Sequence, residues 1–116
     1  MAENVNERLS DLHCVTVPRD TPHLTDAEIA ELQPQVPEWE VSAPDGEARL
    51  ERVFKLKNFQ ESMALAARIG EIAEAEDHHP ALLVEWGKLT VTWWTHSIKG
   101  LHKNDFIMAA KTDQLS

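Results

Sequence analysis

Six histidines stand in a chain of 116 residues, and four of them fall between residues 78 and 102. His78 and His79 are adjacent in the stretch EAEDHHPALLVEW. They follow Glu74, Glu76 and Asp77 and directly precede Pro80. Free imidazole titrates near pH 6.5, so near neutral pH it can both give and accept a proton. A dehydration needs that pair of roles: one group protonates a departing hydroxyl, and another removes a proton from the adjoining atom. Neither a metal nor a redox cofactor is required. Carboxylates at Glu74, Glu76, Asp77 and Asp105 would stabilise an imidazolium and keep an acid form available. Clustered imidazoles can also bind zinc with an open water position, the arrangement of a zinc hydrolase. Against zinc, the side chains of adjacent residues usually diverge, and no HxH or HxxxH pair occurs. The plainest alternative is that these histidines make local hydrogen bonds at a junction between elements.

The doublet acquires a partner only if the chain folds back on itself. LLVEW reads as a strand, Gly87-Lys88 as a tight turn, and LTVTWWTH as a strand of strict alternation. In the latter, Leu89, Val91, Trp93 and Thr95 face one way, and Thr90, Thr92, Trp94 and His96 the other. Antiparallel pairing sets the start of the first strand beside the end of the second, bringing His78 and His79 toward His96. Asp105, in the first turn of a last helix over about 103–113, suits the helix dipole and falls near the same end.

Upstream, Thr25 and Glu28 form a capping box for a short helix that stops before Pro34. Residues 36–59 read as a hairpin: Trp39 and Val41 alternate, Pro44-Asp45-Gly46 turns, and Leu50, Phe54 and Leu56 share a face. Asn58 opens the longest helix, with Glu61 three residues on. Its expected apolar stripe is Phe59, Met63, Ala66, Ala67, Gly70 and Ala73, widened by Leu65, Ile69 and Ile72. The pattern runs to about Glu76, and Pro80 forces His79 away from helical geometry. The order helix, two strands, helix, two strands, helix implies an α+β fold, a four-stranded antiparallel sheet with three helices packed on one face. Residues 1–23 read as a partly mobile N-terminal arm with a short ordered piece. There His13, Cys14 and His23 are expected to be solvated histidines and a free thiol. Residues 24–116 form a single domain.

The net charge of −9 argues against direct binding to nucleic acid or to an anionic membrane surface. No apolar run is long enough to span a bilayer. The single cysteine and the absence of a basic, apolar leader favour the cytoplasm.

The ordered set EDHHP, Trp86 and THSIKGLHKND resembles the signature of the pterin-4a-carbinolamine dehydratase family. That signature is an acid, HHP, an aromatic, a histidine after a strand, and then an aspartate. The matching positions are Glu74 or Asp77, then His78, His79, Pro80, Trp86, His96 and Asp105. Trp86 stands where many members carry tyrosine. The resemblance covers roughly residues 24–113, and the arm lies outside it.

The resemblance implies a hydro-lyase that removes water from the 4a-hydroxytetrahydropterin left by aromatic amino-acid hydroxylases, giving quinonoid dihydropterin for recycling. It implies that His78 and His96 are general acids, and that His79 mainly holds the substrate. Pro80, Thr95, Ser97 and Ile98 would contact the pterin beside the three histidines, and Glu74 and Asp105 would support them. The family needs no metal or added cofactor, since the pterin is the substrate. It also implies a homodimer whose sheets join, or a homotetramer built through helices. The competing function is a regulatory or binding role, toward phenylalanine hydroxylase or a transcription factor, without essential catalysis. The pterin itself comes from the resemblance alone; from the residues, Trp94 offers only a stacking surface beside His96.

Overall fold

The computed structural model describes residues 7–116. Three α-helices are present: α1 (Asp26–Leu32), α2 (Phe59–Glu76) and α3 (Lys103–Asp113). Four strands, β1 (Glu40–Ser42), β2 (Arg49–Lys55), β3 (Ala81–Glu85) and β4 (Lys88–Trp93), form one antiparallel sheet in the order β1-β2-β4-β3. The expected α+β architecture is therefore present, and the two hairpins lie side by side through the β2–β4 pairing.

Local chemistry sets the boundaries. Thr25 and Glu28 form the reciprocal capping box of α1. The Asn58 carboxamide oxygen accepts from the Glu61 N–H at 2.9 Å and opens α2. Gly46 and Gly87, both at positive φ, make the two hairpin turns. Along β4 the alternation is as expected: Leu89, Val91 and Trp93 are fully buried against the helices. Leu50 and Phe54 of β2, Leu65, Ile69 and Ala73 of α2, and Phe106, Met108 and Ala109 of α3 are part of the same core, with Trp39 also fully buried in it and Ile29 and Leu32 of α1 at its margin. Burying a side chain of this kind contributes roughly 1.5–3 kcal/mol.

Two expectations are corrected. The stripe that α2 buries is Ser62, Leu65, Ile69 and Ala73, while Phe59 and Met63 are about half exposed. The branched side chains at Leu65 and Ile69 fill the space above the sheet. Ser62 tolerates its buried position because its hydroxyl donates to the Asn58 carbonyl, at 3.2 Å. The last strand also ends earlier than its alternation suggests. After Trp93 the chain turns, Thr95 bridges to Gly100, and His96–Ile98 form a single 3-10 turn. His96 thus stands on a turn rather than on a strand.

The described part of the arm packs against the domain. Leu9–Asp11 form a 3-10 turn whose Leu9 side chain is buried in the core. His13 is exposed, Cys14 is half-buried, and residues 1–6 lie outside the described residues.

Candidate active site

The HHP turn begins where α2 ends. Asp77 adopts a left-handed conformation, φ 52°. The His78 N–H donates to the Ala73 carbonyl and the Asp77 N–H to the Glu74 carbonyl. This is a Schellman closure, with an aspartate where glycine is usual. The helix therefore stops at Asp77, ahead of Pro80, and His78 is the first residue held beyond it.

His78 points inward. Its ring stacks parallel to Trp93, with centroids 5.9 Å apart and planes 6° apart. Its Nε2 lies 2.6 Å from Oδ1 of Asp105. The Asp105 carboxylate is fully buried and accepts from two further donors at Oδ2, the Thr95 hydroxyl (2.8 Å) and the His102 N–H (2.9 Å). One carboxylate thus ties together the HHP turn, the end of the last strand and the start of α3. A buried ion survives only when its oxygens are this fully bonded. With Asp105 accepting at Nε2, the His78 tautomer is fixed and Nδ1 remains for an outside partner.

His79 points outward. Its Nε2 lies 2.5 Å from Oε2 of Glu74, and both side chains are more than half exposed. His96 is also exposed, its ring 4.3 Å from that of Trp94 and tilted by 47°. The other partner of Trp94 is Arg49, whose guanidinium carbon lies 4.4 Å from the indole centroid and which is held by Asp45 of the β1–β2 turn. The Ala81–Thr92 register sets the HHP turn alongside Trp93–Thr95, so the three histidines occupy one end of the sheet. Each has its own partner: Asp105 for His78, Glu74 for His79 and Trp94 for His96. Among the described residues, no three potential metal-ligating side chains come together.

The remaining expected contacts divide. Pro80 is half-buried and Ser97 exposed, both at this end of the sheet. The Thr95 hydroxyl is committed to Asp105, and Ile98 is buried. A groove of about 740 Å³ between β2 and α2, lined by Arg52, Lys55, Glu61 and Arg68 among others, contains none of these histidines. An acid–base site is marked by its titratable groups, and volume alone is a weaker guide.

Two contributors were not singled out from the sequence. Trp93 is the platform for His78, where the alternation marked it only as an inward residue. His102 caps α3, its Nδ1 accepting from the Asn104 N–H at 2.9 Å while the Asp105 side chain reaches back to the His102 N–H. Burial pushes the His102 pKa below its ordinary 6.5; the Asp105 charge opposes this and His78 adds to it. The spacing His102-x-x-Asp105 is that of a capping box, and was the signal available.

Comparison with known proteins identifies the fold and the family. The crystal structure of a transcriptional coactivator/pterin dehydratase from Brucella melitensis is similar at a TM-score of 0.73 and 31% identity. The alignment covers 80% of this chain and 97% of that one. The family model for pterin 4 alpha carbinolamine dehydratase matches residues 22–115, and the chain belongs to that family.

Proposed function

We propose that this protein dehydrates a 4a-hydroxytetrahydropterin to the quinonoid dihydropterin, recycling the cofactor of an aromatic amino-acid hydroxylase. The observation that carries the reading is the Asp105–His78 pair at the HHP turn, 2.6 Å between its bonded atoms, with the exposed His79 and His96 at the same end of the sheet. In the reaction the C4a–O bond breaks as the hydroxyl takes a proton and leaves as water, and the adjoining ring nitrogen gives up its proton. His78 and His96 act as the proton-transfer groups, and His79, paired only at the surface, holds the ring. The chain carries out this chemistry with its own side chains, in the cytoplasm, as a homodimer or homotetramer.

Purified protein should speed the decay of the 4a-adduct absorbance in a hydroxylase reaction. If the His78→Ala/His96→Ala double variant gave the same rate as the wild type, the reading would be wrong.

A second reading is a docking role toward phenylalanine hydroxylase or a transcription factor. It is favoured by the half-exposed Phe59 and Met63 on α2. Capture of a hydroxylase that persists in the double histidine variant would separate docking from catalysis.

A further inference from the structure

We infer that residues His13–Val15 form a strap that positions the His78–Asp105 pair from outside the family domain, with Glu76 and Asn104 as its two anchor points. The inference rests on the dehydratase reading and assigns positioning residues to it. Glu76 is the last residue of α2, two before His78, and its side chain is only 12% exposed. Its Oε1 accepts from the Cys14 N–H at 2.8 Å, and its Oε2 lies 2.7 Å from the His13 Nδ1. Asn104 precedes Asp105 and is 2% exposed. It grips the Val15 backbone at both ends: the Val15 N–H donates to Oδ1 at 3.0 Å, and Nδ2 donates to the Val15 carbonyl at 2.8 Å. Three consecutive residues thus bond a neighbour of each member of the pair.

The strap is itself anchored. Leu9 is buried, its N–H donates to Gln35 at 2.9 Å, and the Lys111 ammonium donates to the Ser10 carbonyl at 3.0 Å. Val15 contributes through its backbone, since the residue is 62% exposed. Burial raises the Glu76 pKa, but bonds from the Cys14 N–H and His13, with Lys111 nearby, outweigh it and hold the group below its ordinary 4.5. The anchor is therefore ionised at neutral pH. The family match begins at residue 22, so the strap lies beyond it. A short, directional imidazole–carboxylate bond requires the end of α2 and the start of α3 to be held in one relative position. Small displacements at such a pair are costly to catalysis.

The test uses the full-length protein with Glu76→Ala, Glu76→Gln, Asn104→Ala and Val15→Pro, the last deleting one donor from an exposed residue. Two quantities are followed: steady-state dehydratase kinetics, and the His78 ring signals in long-range 1H–15N NMR spectra. A misplacement of about 1 Å at the reacting groups can cost about 100-fold, so the alanine variants, which loosen the pair without removing it, should lose about tenfold in kcat. Because the strap does not touch substrate, KM should stay within about twofold. The His78 ring signals should shift as the ring leaves its place on Trp93. Glu76→Gln keeps an acceptor for the Cys14 N–H and should stay within about threefold of wild type. If Asn104→Ala does not fold, Val15→Pro carries the same expectation. A folded Glu76→Ala protein with unchanged kcat and unchanged His78 signals overturns the strap, even if its Tm falls. If the wild-type protein has no dehydratase activity, the functional reading fails, while the His78 signals still decide the strap.

Discussion

Asp105→Asn tests how the site is held. The wild-type carboxylate is fully buried and takes three hydrogen bonds, from His78, Thr95 and His102. Removing it outright, as in Asp105→Ala, would leave buried donors unpaired at about 1–3 kcal/mol each. Three such losses approach the total stability of a domain this size, roughly 5–15 kcal/mol. The amide is the more discriminating change. Its carbonyl can take the position of Oδ2 and still accept from Thr95 and the His102 N–H, while its NH2 then faces His78. An NH2 cannot accept, so the Nε2 of His78 must give up its hydrogen and Nδ1 must carry it. The fold is retained and the tautomer is inverted. Exchanging a charge-assisted bond for a neutral one costs about 1–2 kcal/mol of stability. The activity cost is larger, up to about 100-fold in kcat from the misoriented imidazole. The assays are decay of the 4a-adduct absorbance at saturating substrate, and thermal unfolding by circular dichroism. A folded Asp105→Asn protein with kcat within about twofold of wild type would refute the claim that this carboxylate fixes the working form of His78.

Three further expectations follow from the same contacts. Because His102 accepts from the Asn104 N–H, it is neutral in the fold, and its pKa lies below the 6.5 of the free group. Its cap is therefore fully stabilising above pH 6.5 and is lost as pH falls toward and through the depressed folded value. Tm measured against pH should drop on acidification for wild type relative to His102→Asn, which caps without titrating; parallel curves would contradict this. Burial, and then the Glu76 and Asp105 charges, against the opposing Lys111, push the Cys14 thiol up to about 12. Alkylation by iodoacetamide at pH 8 should therefore be at least about tenfold slower than for free cysteine, and a rate equal to the free thiol would count against the packed arm. Asp77→Gly should stabilise the protein by about 0.5–1 kcal/mol, since glycine takes φ 52° without strain; a lower Tm would show that the aspartate side chain has a role of its own.

What the sequence disclosed depended on how local the governing physics was. The caps at Thr25 and Asn58 and the glycine turns involve contacts a few residues apart, and each was readable. The alternation in β4 was readable for the same reason, because one buried face imposes period two. The face that α2 buries was readable only in part: Leu65, Ile69 and Ala73 lie within the expected apolar face, whereas Ser62 does not and Phe59 and Met63 stay half exposed. Its sequence is apolar around much of the helix, and the choice between Met63 and Leu65 is made by the sheet beneath, which no local pattern encodes. The end of β4 was misplaced because Thr95 and His96 continue the alternation while their backbone pairs with Gly100 instead. At the site, the convergence of His78 and His79 on the end of β4 followed from hairpin pairing. The link to Asp105 spans 27 residues and depends on the packing of α3, so proximity could be anticipated but the bond could not.

The adjacency of the two histidines is the economical part of the design. Because the Schellman closure at Asp77 fixes the backbone at His78, the two successive side chains are directed into different surroundings. His78 turns inward, where Trp93 and a fully bonded carboxylate hold it in place. His79 emerges into solvent against Glu74, which is 79% exposed, and a pair of that kind contributes at most about 1 kcal/mol and is readily exchanged. One imidazole is thus preorganised, and its neighbour is free to change partners when a ligand arrives. On the proposed reading, a dehydration at a ring carbon uses that division: a proton-transfer group that keeps its place, and a holding group that can adapt to the ring. Two histidines on separate elements would each need their own support. Placed in sequence at a helix stop, they share one, and the carboxylate that secures His78 also caps the helix beneath it.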